Sequence, residues 1–205
     1  MFESLAGRQP GLIDFNEYKR YALGIPLVEK GGQLSVVFEV RARSLKRQPG
    51  EVCLPGGHVE TDEDFERAAV RETCEELCIE QSQIQVIAPM DMYVSASGQM
   101  ILPYLFRLLD YQGTFNPEEV DEIFYVPVDF FWENPPVSYK NHIFTKPDRD
   151  FPLDKIPGGK RYPWSSGWSS VYFYPKIHGH VIWGLTAKIM KSAANIMKEA
   201  VDHGQ

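Results

Sequence analysis

Apolar residues change their period several times along the chain, and each change marks an element. Leu34 to Arg41 (LSVVFEVR) is rich in β-branched and apolar residues and predicts a buried strand. Glu51 to Leu54 predicts a short strand running into Pro55-Gly56-Gly57, a turn, with His58 to Asp62 a loop. From Thr61 or Asp62 the period becomes helical. Asp or Thr can cap that start, and acidic residues at 62–64 suit the positive end of a helix. Val70, Cys74 and Leu77 then recur at i, i+4 and i+7 as an apolar stripe. Ile84 to Ala88, Met90 to Val94 and Ile101 to Leu108 predict strands, with Ser95 to Gly98 a turn. An acidic turn, Asn116 to Glu122, precedes a strand-like run from Ile123 to Val128. Asp129 to Trp132 begins a helix that Pro135-Pro136 stops, and residues 138–168 read as a long aromatic loop. Val171 to Pro175 and His178 to Ile182 suggest a hairpin. Leu185 to Asp202 is amphipathic, with Ile189, Ala193, Ile196 and Met197 facing in. Ahead of all this, glycines and prolines between Gly7 and Gly32 punctuate one short helical stretch, Ile13 to Tyr21.

Strands in mixed order, with two main helices between and after them, predict an α/β fold in which a sheet is sandwiched by helices. No internal repeat or linker splits the 205 residues, so residues 1–205 are expected to form a single domain. The 43% hydrophobic and 24% charged content suits a globular chain, and no apolar run approaches the ~20 residues of a membrane span. The first residues, MFESLAGRQPG, lack a basic-plus-apolar leader, and DHGQ at the end lacks a retention or peroxisomal tripeptide. These features, with three cysteines and hence no disulfide framework, predict a cytoplasmic protein with no membrane partner. Cys74 and Cys78 read as small buried hydrophobes. The net charge of −7 disfavours nucleic acid, though an anionic small molecule stays open because a metal can reverse the local field.

The helix that starts near residue 61 carries a second pattern. Glu72, Glu75 and Glu76 fall at i, i+3 and i+4, which places their Cβ atoms roughly 5–6 Å apart on one face, away from the apolar stripe. Three like charges so close repel each other unless a cation lies between them. Carboxylate oxygens suit Mg²⁺ or Mn²⁺ rather than zinc. A solvated acidic face is the plainer alternative for a lone Glu-x-x-Glu-Glu.

The wider stretch resembles the Nudix box: Gly, five residues, Glu, seven residues, then Arg-Glu-aliphatic-any-Glu-Glu-any-Gly-aliphatic. Here Gly57, Glu63, Arg71, Glu72, Thr73, Glu75, Glu76, Cys78 and Ile79 occupy those positions. Thr73 departs from the aliphatic position and Cys78 from the terminal glycine, which normally supplies a left-handed cap. The resemblance implies an α/β/α sandwich around a mixed sheet, with the box as loop-helix-loop. It also implies metal-dependent hydrolysis of a phosphoanhydride. Glu72, Glu75 and Glu76 would be metal ligands, with the Gly57 carbonyl an extra one, and Glu63 and Arg71 a structural ion pair. Glu75 and Glu76 carry catalysis in this reading, and Glu119 and Glu122 are general-base candidates outside the box. Glu60 and Glu66 have weaker claims. Many members of the family are dimers, so the resemblance allows a homodimer.

Upstream, Val37-Phe-Glu-Val-Arg41-Ala42, Lys46, Gly50 and Leu54-Pro-Gly-Gly57 resemble, without a gap, the motif that precedes the box in the coenzyme A diphosphatases of this superfamily. That pattern is Leu-Leu-Thr-any-Arg-Ser/Ala, three residues, Arg, three, Gly, three, Phe-Pro-Gly-Gly. Val37, Phe38 and Glu39 depart from its first three positions, Lys46 replaces Arg and Leu54 replaces Phe. Asn116–Val120, Ile123–Pro127 and Val181–Ala187 resemble later segments of the same family. The implied reaction cleaves coenzyme A or its thioesters to 3′,5′-ADP and 4′-phosphopantetheine or its acyl form. The alternatives are another nucleoside diphosphate derivative, such as ADP-ribose or NADH, or a non-catalytic ligand-binding module. Coenzyme A carries a 3′-phosphate that needs cations away from the metal, and Arg41, Arg43, Lys46 and Arg47 form a basic cluster that could read it. Tyr162, Trp164 and Trp168 either stack on the ligand or fill a satellite core. His178 and His180 are expected to face solvent. Gly158-Gly159-Lys160 is not a P-loop, because residue 154 is Asp and residue 161 is Arg.

Overall fold

The computed structural model describes residues 6–203. The termini read for targeting signals therefore lie in part outside the described residues, at 1–5 and 204–205. Among the described residues ten strands and three α-helices follow in the order β1 (Lys19–Lys30), β2 (Gln33–Arg41), β3 (Val52–Cys53), β4 (Gly56–His58), α1 (Phe65–Leu77), β5 (Ile84–Pro89), β6 (Tyr93–Val94), β7 (Gln99–Leu108), β8 (Val120–Pro127), α2 (Val128–Glu133), β9 (Val137–Phe144), β10 (Ser166–Phe173) and α3 (Gly184–His203). The first eight strands form one sheet. Its pairs are antiparallel except β1 against β7, which is parallel, so the sheet is mixed. Strand alternation gives it two apolar faces. Ala22, Val28, Val37, Phe106 and Leu108 meet α1, while Ile25, Leu27, Val36, Phe38, Phe124 and Val126 meet α2 and α3. The result is the expected α/β/α sandwich.

The opening that becomes the site arises because β1 and β2 pair only over Leu27–Lys30 and Gln33–Val36 and then separate. β3 pairs with β2, and β4 pairs with β1, so the chain from Val52 to His58 fills the gap between the splayed strands. Pro55-Gly56-Gly57 is thus partly strand, not a free turn.

The helix expected over Ile13–Tyr21 is not present. Only Phe15–Glu17 makes a 3-10 turn, and Lys19 onward is strand. Gly24 and Pro26 read locally as punctuation, but the gap tolerates both. The Gly24 N–H donates to the Pro55 carbonyl at 2.8 Å. Pro26, two residues on, faces the same edge between the segments paired with β4 and β2, so its missing N–H costs no ladder bond there. Gly24 has a further reason: a Cβ there would sit 2.4 Å from Thr73 Oγ1 and 2.9 Å from the Phe106 ring. The Thr73 hydroxyl donates back to the Ala69 carbonyl at 2.7 Å, so this buried departure from the box pattern leaves no unpaired polar group.

The box helix starts at Phe65, not 61 or 62, because Asp64 is the residue whose carboxylate accepts the Arg67 N–H at 2.9 Å. At its other end Cys78 adopts φ 51°, ψ 52° and supplies the left-handed cap without glycine; it is exposed, not buried. Residues 138–168 are not a structureless loop. β9 and β10 form a two-stranded antiparallel ribbon in full register from Val137–Phe173 to Phe144–Ser166. Every residue of β9 is exposed, so no one-sided alternation marked it. Phe151, Tyr162 and Trp164 cluster in the connection, with ring centroids 5.3 and 4.9 Å apart. The hairpin expected from Val171 to Ile182 reduces to the Ile177–His180 bridge and short pairings of Phe173 with Trp183 and Tyr174 with Ile182.

Candidate active site

The site is built where α1 crosses the splayed ends of β1 and β2. Arg71 ties the box together. Its Nε and Nη2 donate to the two carboxylate oxygens of Glu63 at 3.1 Å each, and Nη2 also donates to the His58 carbonyl at 3.1 Å. The planar fork thus fastens the loop before the helix to the helix itself. Glu63 is held below the usual carboxylate range, chiefly by that hydrogen bond from Arg71. Arg71 Nη1 faces the other way, donating to Glu72 at 2.8 Å and Glu75 at 3.3 Å.

The three carboxylates expected on one face are split among three surroundings. Glu75 is half-exposed, its side chain 54% accessible, against 16% for Glu72. Glu76 is buried at 4% and lies on the sheet side of α1, not away from the core. Its Oε2 accepts the Gly56 N–H at 2.8 Å. Glu72 presses on the neighbouring glycine: a Cβ on Gly57 would meet the Glu72 carboxyl carbon and Oε1 at 2.4 Å. Among the described residues no three His, Cys, Asp or Glu side chains converge tightly enough to clasp one ion as they stand. Arg71 holds Glu72 and Glu75, and the Gly56 N–H holds Glu76. Burial, then the charges of Glu72 and Glu119, push Glu76 up to about 7 against the pull of the Gly56 N–H. Burial likewise raises Glu72 despite Arg71.

Of the two base candidates outside the box, the fold brings one to this cluster. Asn116 N–H donates to the Glu76 carbonyl at 2.8 Å, and the Thr114 hydroxyl donates to the Leu77 carbonyl at 2.7 Å. The turn after residue 113 is thereby fastened to the C-terminal end of α1. The Ala42 N–H, donating to the Glu119 carbonyl at 2.8 Å, completes the anchoring. Glu119 is near enough to raise both Glu72 and Glu76. Glu122 sits in β8 with the parity of Phe124, on the α3 face of the sheet, and pairs with His180 at 3.4 Å. The pleat therefore separates it from the cluster. His180 does not face solvent as expected; its ring stacks on Phe124 with centroids 4.4 Å apart.

A cleft of about 690 Å³ opens beside Gly56 and Gly57. Arg41 and Arg47 line it, whereas Arg43 and Lys46 do not. Arg43 is fully outside, loosely paired with Asp121 at 3.7 Å, and Lys46 is exposed. The basic loop thus divides into two cations that reach the cleft and two that do not. The opposite wall brings residues the sequence did not single out: Lys188 from α3, held 4.8 Å over the Tyr93 ring, and Asn141, Ser169 and Ser170 from the ribbon. Lys188 falls on the polar side of an amphipathic helix, and nothing local distinguishes it from a solvated lysine. Trp168 is 58% exposed, its ring 4.6 Å from Lys140 Nζ.

A NUDIX domain model matches residues 18–144, more than half of the chain, and the chain belongs to that family. Enzymes of the family work with divalent cations. The chain is 37% identical to the mouse protein named peroxisomal coenzyme A diphosphatase NUDT7 over 134 residues, covering 64% of this chain and 56% of that one. It is also 37% identical over 108 residues to peroxisomal coenzyme A diphosphatase ndx-8 of Caenorhabditis elegans, covering 50% and 45%. It is 29% identical over 187 residues to Nudix hydrolase 22, chloroplastic, of Arabidopsis thaliana, covering 87% and 55%. The chain spans about half the length of these curated relatives. No helix among the described residues is long and apolar enough to cross a membrane.

The donor set fits a hard divalent ion. Every acidic group at the cluster offers carboxylate oxygen, Gly57 leaves the space Glu72 needs, and one buried carboxylate oxygen nearby, Glu39 Oε1, has no hydrogen-bond donor among the described residues.

Proposed function

We propose that the protein is a Mg²⁺- or Mn²⁺-dependent diphosphatase that cleaves coenzyme A or its thioesters to 3′,5′-ADP and 4′-phosphopantetheine or its acyl form. The observation that carries this reading is the junction of two unlike surfaces: the box carboxylates around Gly57, and a cleft starting at Gly57 whose walls hold Arg41, Arg47 and Lys188. An acidic pocket for metal beside cations for phosphate is what a polyanionic substrate requires. The likeness to two proteins named coenzyme A diphosphatases supports the substrate class.

Glu72 and Glu76, with Glu75 and the Gly57 carbonyl, would hold the cation. When bound, it shields phosphate charge and lowers the pKa of attached water. The chain's own residues do the rest. Arg71 and Glu63 fix the loop against α1 so that Gly57 and Glu72 keep their register. Glu119 is placed to accept a proton from the attacking water, a role its position supports better than that of Glu122. Arg41 and Arg47 bind the 3′-phosphate, and the Asn141–Ser170 wall of the ribbon runs along the pantetheine arm. A cytoplasmic site of action accompanies this reading.

A turnover assay comparing coenzyme A, dephospho-coenzyme A, ADP-ribose and NADH with Mg²⁺ or Mn²⁺ tests it. Coenzyme A should give 3′,5′-ADP and outrun dephospho-coenzyme A, and Glu76→Gln should abolish turnover with the fold intact. Faster cleavage of ADP-ribose or NADH would refute the role given to Arg41 and Arg47.

A further inference from the structure

One buried charge belongs to neither the box nor the basic cluster. Glu39 lies in β2, within an otherwise apolar run, and is 1% exposed. Its parity with Val37 turns it to the α1 face, just where β1 and β2 part. Its Oε2 receives only a weak thiol donor, Cys53 Sγ at 3.8 Å, and among the described residues its Oε1 has no hydrogen-bond donor. The group beside it is another acid, Glu76, whose carboxyl lies within hydrogen-bonding reach. Arg41 offers it only a minor attraction.

An isolated carboxylate this deep costs several kcal/mol to desolvate. A fold normally avoids that cost or pairs the charge. Here the neighbour has the same sign, and the coenzyme A diphosphatase motif noted above has threonine at this position. A shared proton relieves the repulsion by neutralising one of the two acids; a divalent cation relieves it with both carboxylates ionised and offers Oε1 a partner. Accordingly, we propose that Glu39 supplies a carboxylate oxygen from β2 to the divalent-cation site formed by Glu72 and Glu76 of α1. The site would then draw ligands from the central sheet as well as from the box helix. This rests on the metal reading of the box given above.

The test is Mn²⁺ binding, followed through the electron paramagnetic resonance signal of free Mn²⁺. It uses wild type, Glu39→Gln, Glu39→Thr and Glu76→Gln, with thermal melts in the presence and absence of Mn²⁺. Both Glu39 variants should bind Mn²⁺ at least about tenfold more weakly. Without metal they should melt at or above the wild-type temperature, since a repulsive pair is gone, and Mn²⁺ should raise their melting temperature less. Wild-type affinity and an undiminished Mn²⁺ increment in both, with binding lost in Glu76→Gln, would overturn this inference and leave the box reading standing. No Mn²⁺ binding by wild type would overturn both. If Glu39→Gln fails to fold, as judged by circular dichroism, the threonine variant decides alone, because threonine is smaller and carries no charge.

Discussion

Gly57→Ala isolates the contact on which the metal reading turns. Gly57 does not use a left-handed conformation, so alanine imposes no backbone strain there. Its Cβ would instead fall 2.4 Å from the Glu72 carboxyl carbon and Oε1 and 2.5 Å from Oε2. An ordinary contact needs at least 3.4 Å, so the carboxylate must withdraw by about 1 Å (3.4 less 2.4). A glutamate tip can make that move cheaply. It would strain the 2.8 Å bond from Arg71, an effect on the order of 1 kcal/mol or a shift of roughly 2–4 °C in melting temperature. Function should suffer far more, because about 1 Å of misplacement in a reacting constellation can cost ~100-fold in rate, equivalent to ~2.7 kcal/mol of barrier. The assay is steady-state cleavage of coenzyme A at saturating Mg²⁺, paired with a thermal melt. Gly11→Ala, where nothing lies within 4 Å, serves as control and should change neither. A folded Gly57→Ala protein with wild-type kcat would refute the placement of Glu72 as a ligand.

Gly24→Ala should act on stability, since its Cβ would press on a buried threonine and a buried phenylalanine with nowhere to go. Overpacking of this kind costs about 1–3 kcal/mol, read as a lowered urea midpoint, and an unchanged midpoint would contradict the packing described. Glu119→Gln should lower kcat by about 10²-fold or more while Glu122→Gln leaves it unchanged, since only Glu119 lies in the turn fastened to α1; the reverse pattern in a kinetic assay would overturn the assignment. Metal-free protein should lose stability as pH rises from about 4.5 to about 7. Burial raises the folded-state pKa of Glu76, so the unfolded chain gives up that proton first, and the folded state is favoured fully only below the ordinary carboxylate value. The loss is on the order of 3 kcal/mol and should shrink with Mn²⁺ present; chemical denaturation across that pH range in EDTA measures it. Melting that is flat or rising with pH in EDTA would count against the buried state of Glu76.

The sequence by itself determined the elements whose partners lie close along the chain. The box helix was legible from Val70, Cys74 and Leu77, and its family from the spacing of Gly57, Glu63, Arg71 and the glutamates. So was the strand β2, because LSVVFEVR is apolar enough to demand burial wherever it goes. Helical spacing also set the sector of Glu72, Glu75 and Glu76, but not their fates. Adjacent residues 75 and 76 differ from half-exposed to buried because one meets Arg71 and solvent while the other meets the Gly56 N–H and Glu39. Long-range pairing made the remaining decisions. Gly24 and Pro26 became strand because β3 and β4 fill the gap beside them, although both residues signal a break locally. Glu119 and Glu122, three apart in one acidic stretch, parted because Glu119 stays in the turn fastened to α1 while Glu122 enters β8 and turns to the α3 face. Glu39 looked like one polar position in a strand; only the crossing of α1 turned it into a buried acid facing another. Periodicity reports which side of an element is apolar, whereas the charge a side chain meets depends on residues tens of positions away, and only the tertiary structure brings those together.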